Sequence, residues 1–205
     1  MGIYAIKPKF QKTLRPIENL LVKYKVHPTW VNIFGLVVAS IAAASLIASQ
    51  HNKWYLLMVP LAANARTVCN ALDGLVARRL DVADRFGEVL NETIDRVSDS
   101  TIFISLYFLN ATNNNLALFT LVVILINSFL SIVSKAAGGS RRYNGIVGKA
   151  DRMIYLGIAS LAVLITRNTH IWNYFLVFIL IGTSITFIQR AIATYKELKL
   201  LDAKS

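Results

Sequence analysis

Residues 66–99 read RTVCNALDGLVARRLDVADRFGEVLNETIDRVSD, and this stretch decides the fold. Seven of the chain's eleven acidic residues lie in it: Asp73, Asp81, Asp84, Glu88, Glu92, Asp95 and Asp99. Outside it the chain is oily. No charged residue occurs between Lys25 and Lys53, between Asp99 and Lys135, or between Arg167 and Arg190. Each gap can supply the roughly 20 apolar residues that a bilayer-crossing helix needs. Over 205 residues the composition is 55% hydrophobic and 16% charged. A soluble domain carries about a quarter charged residues. Disorder and an ordinary soluble globule are excluded, and the lone Cys69 excludes a disulfide scaffold.

Working outward, the pattern predicts an all-α integral membrane protein with six transmembrane helices, over 30–50, 54–78, 85–109, 115–136, 149–166 and 171–193. The first span follows too long a segment to be a cleaved signal sequence. Ahead of it, Ile3, Ile6, Phe10, Leu14, Ile17, Leu21 and Tyr24 step by three or four residues, predicting an amphipathic helix in the membrane interface or packed on the bundle. Pro16 would interrupt that helix or start a second one. The organisation expected is an interfacial segment over 1–28, a membrane domain over 29–195 and a tail over 196–205. The net charge of +11 sorts by side: eighteen of the 22 basic residues fall in the two terminal segments and the second and fourth loops. The positive-inside rule then puts both termini in the cytoplasm. The excess charge is topological, with no nucleic acid required.

Ionisable groups inside a membrane cost a few kcal/mol each and mark a function or a mutual pairing. Two antiparallel helices joined near residue 82 place 73 level with 91 and 70 level with 95. Asn70 and Asp73 share a face, which Arg66 and Ala77 extend; Gly87, Asn91, Asp95 and Asp99 follow at intervals of four on the facing helix. Turned together, these faces make a polar pocket open to the cytoplasm. Converging carboxylates repel and want a cation, and hard oxygen ligands favour Mg²⁺ or Mn²⁺. The alternative is a salt-bridge lattice through Arg66, Arg78 and Arg96.

The pattern Asn70-x-x-Asp73-Gly74-x-x-Ala77-Arg78, eight residues, Gly87-x-x-x-Asn91-x-x-x-Asp95 resembles the signature of the CDP-alcohol phosphotransferases, D-x-x-D-G-x-x-A-R-x8-G-x3-D-x3-D. Every spacing matches. Asn70 and Asn91 stand where that family has its first and third aspartates, as in a bacterial subgroup it resembles. The resemblance implies a phospholipid-biosynthesis transferase of the bacterial inner membrane. It moves a substituted phosphoryl group from a CDP-alcohol, such as CDP-diacylglycerol, to an alcohol and releases CMP. It also implies one or two Mg²⁺ or Mn²⁺ ions held by Asn70, Asp73, Asn91 and Asp95, with Asp95 as the base. Asn70, Asp73, Gly74, Ala77, Arg78 and Gly87 would bind the CDP moiety, Gly87 also letting the two helices approach. Glu92 or Asp99 would restore a carboxylate lost at the asparagines. Lys149 and Arg152 would hold an anionic acceptor, and the family resemblance suggests a homodimer. The other readings are a headgroup transferase of the same family that takes a CDP-linked small alcohol onto a lipid, a catalytically weak or inactive member that binds CDP-lipid or metal in a regulatory or partner role, and a transporter. A transporter should repeat the polar cluster in both halves, whereas here it occurs once. His27, His51 and His170, with Trp30, Trp54 and Trp172, fall at span ends as interface residues, and Cys69 reads as packing.

Overall fold

The computed structural model describes residues 12–203. Its helices are α1 (Arg15–Lys23), α2 (Pro28–Ala48), α3 (Met58–Arg79), α4 (Arg85–Tyr107), α5 (Asn114–Ala136), α6 (Lys149–Thr166) and α7 (Ile171–Asp202), with a 3-10 turn over Lys53–Leu57 before α3. No strand occurs among the described residues. The six long helices sit where the six hydrophobic segments fall, and α7 runs past the expected end at 193. Three of them, α2, α5 and α7, are long and apolar enough to cross a membrane, with mean hydropathies of 2.2, 2.6 and 1.9. α3, α4 and α6 carry the charges of the hairpin and of the Lys149–Arg152 segment, which lowers their apolarity.

The long helices close into a ring. α2 packs on α3 and α4, α3 on α6, α6 on α7, α7 on α5, and α5 on α4. Consecutive α3 and α4 barely touch through their backbones, because α2 packs on both. The space between their polar faces is therefore spanned by side chains. Small residues permit the close crossings, as at Gly157, where an added Cβ would lie 3.0 Å from Pro60 Cβ.

Leu14 is buried with Val31, Cys69 and Leu72, and Leu21 packs against them, so α1 docks on the bundle. Arg79 of α3 reinforces the contact, donating to Asn19 Oδ1 at 2.5 Å and lying 3.4 Å from the buried Glu18. Pro16 sits in the first turn of α1, where its missing N–H is harmless. Ile17, Leu20 and Tyr24 are exposed. Ile3, Ile6 and Phe10 of the expected stripe lie outside the described residues. Trp172 corrects the aromatic-belt reading: it is 2% exposed and meets Phe175 edge-on at 6.5 Å, which in turn stacks on Phe103. Trp30 and Trp54 are exposed at helix ends.

The loop over 137–148 is strapped to α7. Arg142 donates to Ala193 O at 2.7 Å and pairs with Glu197, which also accepts from Ser140 N and Oγ, both at 3.0 Å. Arg190 donates to Asn144 O and Ser131 Oγ, both at 2.9 Å. The Ser140 N–H and hydroxyl and the Arg142 guanidinium hold the Glu197 carboxyl below its ordinary range. A depressed carboxyl stabilises the fold above its unfolded pKa and loses that contribution as pH falls through the folded value. Ser140 amide protection from hydrogen exchange should therefore persist from neutrality to about pH 5 and fall below about pH 4. In Glu197→Gln the protection should be lower at neutral pH and insensitive to acid.

Gly145 has φ +134°, and a Cβ there would sit 2.9 Å from Thr186 Oγ1, the group that accepts from Val147 N at 3.0 Å. Gly138 has φ +87° with nothing within 4 Å. Gly145→Ala should lower the thermal unfolding midpoint, at a cost of about 2–4 kcal/mol from backbone strain plus the clash. Gly138→Ala should cost about 1 kcal/mol, from strain alone.

Candidate active site

The hairpin turn sets the site. Asp84 caps α4 by accepting from Gly87 N at 2.6 Å, and a Cβ on Gly87 would lie 2.7 Å from that same carboxylate oxygen. Gly87 is required by its own cap, which corrects the expectation that it lets α3 and α4 approach. The depth register is as read from the spacing: Asn70 Nδ2 donates to Asp95 Oδ1 at 3.0 Å and Oδ2 at 3.3 Å.

Asp95 is 2% exposed and enclosed by cations. Arg66 Nη2 donates to its Oδ1 at 2.5 Å, Lys149 Nζ pairs with the same oxygen, and Arg96 stands 3.9 Å from Oδ2. The other carboxylates of α4 are also matched. Asp99 accepts from Arg152 Nη2 at 2.7 Å; Glu92 pairs with Arg96 at 2.8 Å and with Arg141; Glu88 pairs with Lys135. Glu92 and Asp99 thus serve as partners for arginines, in place of the compensating ligand role expected of them. The salt-bridge lattice forms through Arg66 and Arg96 but not through Arg78, which is exposed and makes no ion pair among the described residues.

Asp73 differs from all of these. It is 5% exposed, its one hydrogen bond comes from Gly74 N at 2.6 Å, and no cation pairs with it among the described residues. One level across, Asn91 Oδ1 is buried without a hydrogen-bond partner among the described residues. A buried carboxylate with no ion pair, on which Lys149 and Arg66 act only at longer range, and a buried amide oxygen with no donor are costly in apolar surroundings. Both needs are met by a hard divalent cation, so these residues fit one. Among the described residues no three His, Cys, Asp or Glu side chains converge as a metal site, as follows from asparagine at 70 and 91. Gly74 and Ala77 are half-buried on the Asp73 helix, and a Cβ on Gly74 would meet only Arg78 Nη1, at 3.3 Å.

Asp151 caps α6 by accepting from Gly148 N at 2.7 Å. Lys149 and Arg152 thereby point at α4. A cavity of about 20 Å³, lined by Arg66, Thr67, Asn70, Asp99, Lys149 and Met153 among others, joins the two clusters and has room for a single water. Arg190, read only as a flanking charge, is 8% exposed and has no carboxylate partner among the described residues. Nothing in its sequence neighbourhood distinguishes it from tail lysines; the folded loop does. A larger groove of about 600 Å³ lies away from this chemistry between α2, α4 and α5. It is apolar apart from Arg96 at one end and suits hydrocarbon.

The comparison that decides the family is a match to the CDP-alcohol phosphatidyltransferase family model over residues 25–187. The chain belongs to the CDP-alcohol phosphatidyltransferase family. It is 31% identical over 204 residues, the whole of both chains, to the inner membrane protein YnbA of Escherichia coli K12. It is 29% identical to the archaetidylinositol phosphate synthase of Pyrococcus horikoshii, over 95% of this chain and 97% of that one. The fold matches that of Mycobacterium tuberculosis phosphatidylinositol phosphate synthase with CDP-DAG bound, with a TM-score of 0.72 and 22% identity over 88% of this chain and 92% of that one. The same enzyme is known in complex with manganese and citrate, with a TM-score of 0.73. CDP-alcohol phosphatidyltransferases are membrane enzymes of phospholipid biosynthesis, and this chain is one of them.

Proposed function

We propose that this transferase moves a phosphatidyl group from CDP-diacylglycerol to the hydroxyl of a phosphorylated alcohol, releasing CMP. The observation that carries the reading is the buried, unpaired Asp73 level with the unpartnered Asn91 Oδ1. Asp73 and Asn91 would hold a Mg²⁺ or Mn²⁺ ion, which when bound would supply the positive charge that offsets the donor pyrophosphate and favours CMP as leaving group. Arg78, exposed beside Gly74 at the pocket mouth, pairs with a phosphate or the base of the donor. Gly74 and Ala77 leave room for cytidine against α3. The acceptor oxygen attacks the phosphorus that carries the diacylglycerol. Its bond to the CMP oxygen breaks, CMP takes the electron pair, and the acceptor proton passes to Asp95.

Lys149, Arg152 and Arg190 cluster where an acceptor would approach Asp95, and such a density of cations suits an anionic alcohol. One relative is named archaetidylinositol phosphate synthase, which makes phosphorylated polyols the first acceptors to test. In this reading six helices cross the membrane with both termini in the cytoplasm, and the hairpin mouth and the basic loops would then share one side. The exposed Ile17, Leu20 and Tyr24 support an interfacial position for α1. Labelled CDP-diacylglycerol should pass its label to phosphorylated polyols, with equimolar CMP, at least tenfold faster than to the unphosphorylated alcohols. Equal rates with both would remove the anionic-acceptor part of the reading.

A further inference from the structure

The partnering of Asp95 carries a consequence for how many ions the site takes. Asp95 and Arg66 are each 2% exposed and face each other at 2.5 Å. A guanidinium stays protonated under all working conditions, so its charge is permanent. Asn70 turns its amide nitrogen, a donor, toward both oxygens of Asp95, and Lys149 adds a second cation. A carboxylate so enclosed already has its counter-charge: Oδ1 is taken up by Arg66, Lys149 and Asn70, while Oδ2, with Asn70 at 3.3 Å and Arg96 at 3.9 Å, is left to receive the acceptor's proton. Among the described residues Asp73 has no ion pair and no side-chain donor, with Lys149 and Arg66 acting on it only from beyond ion-pair distance, and Asn91 Oδ1 has no donor.

We propose that Arg66 is a built-in counter-cation for Asp95, standing in for one divalent ion, so that the site takes a single Mg²⁺ or Mn²⁺ at Asp73 and Asn91. The inference rests on the metal-dependent reading above and deepens it. Charge balance points the same way. Asp73 and Asp95 bring two negative charges, and Arg66 and Lys149 already bring two positive ones. One divalent ion then leaves the site with the charge a pyrophosphate diester neutralises, whereas a second would leave an uncompensated excess in a low-dielectric pocket. Arg66 is thus a positioning residue. It lies one turn before Asn70 on the same face, so the arginine and the asparagine form one device: cation and amide both address Asp95 from α3.

The test is titration of Mn²⁺ into the purified full-length chain in lipid micelles with CDP-diacylglycerol, following free and bound Mn²⁺ by electron paramagnetic resonance. The wild type should bind a single Mn²⁺ per chain, without the line broadening of a coupled pair. Arg66→Lys, which keeps the charge, should do the same. The triple variant Arg66→Gln, Asn70→Asp, Asn91→Asp should bind two coupled ions. Two ions in the wild type would overturn the proposal, even if the triple variant does not fold. So would a folded triple variant that still binds one. Absence of Mn²⁺ binding with and without CDP-diacylglycerol would defeat both the metal reading and this inference. A single bound ion with no CMP formed would defeat the proposed reaction while leaving the role of Arg66 standing.

Discussion

Asp95→Asn is expected to reduce CMP formation by about 10³-fold or more, because an amide cannot accept the acceptor's proton and general-base catalysis contributes about 10²–10⁴. The substitution has a second effect with a separate signature. Asp95 is the partner of Arg66 at 2.5 Å and of Lys149. Removing its charge leaves two cations facing each other in a buried site, and breaking a buried pair costs about 3–5 kcal/mol. Asp95→Asn should therefore lower the thermal midpoint as well as the rate. Mn²⁺ affinity should change little, since Asp73 and Asn91 hold the ion. A variant that lost Mn²⁺ binding along with activity would show instead that Asp95 is a ligand.

Asp73→Asn should give the opposite pairing of effects. Activity should fall by at least about 10²-fold, and Mn²⁺ binding in the presence of CDP-diacylglycerol should fall with it, because the site loses its only unpaired carboxylate. The metal-free protein should be as stable as the wild type or more so. Asp73 has no ion pair among the described residues, only the Gly74 N–H and the longer-range charges of Lys149 and Arg66, so neutralising it removes a buried charge that is weakly compensated. The thermal midpoints without metal should then rank Asp73→Asn at or above wild type, and wild type above Asp95→Asn. Two aspartates of one motif, on facing helices, are thereby separated by a stability measurement that needs no substrate. An equal destabilisation by both substitutions would mean that Asp73 has a partner in the folded protein.

The helices and the hairpin register were legible because each is a local matter. Charge-free runs mark the apolar helices, intervals of three and four mark faces, and distance from the turn marks depth; the Asn70–Asp95 hydrogen bond meets that register. What was not legible depends on contacts far apart in the chain. Trp172 reads as a belt residue because its span-end position is visible and its Phe175 and Phe103 neighbours are not. Gly87 reads as a close-approach residue because the motif stresses α3 and α4, while the space between those helices exists only because α2 packs on both. Arg190 and Arg142 count equally as flanking charge until the 137–148 loop folds over α7, burying Arg190 and half-burying Arg142. At the site, spacing names the residues but cannot say which carboxylate is already paired. That depends on Lys149, 54 positions from Asp95 and brought to it by α6.

The most direct test is reversal of the transfer. Purified protein in micelles of its phospholipid product, given CMP and Mg²⁺ or Mn²⁺, should form CDP-diacylglycerol, stop on chelation of the metal, and stop in Asp95→Asn and Asp73→Asn. Folded wild-type protein that binds CDP-diacylglycerol, yet neither forms it from CMP nor releases CMP to any alcohol, would contradict a transferase built on these residues.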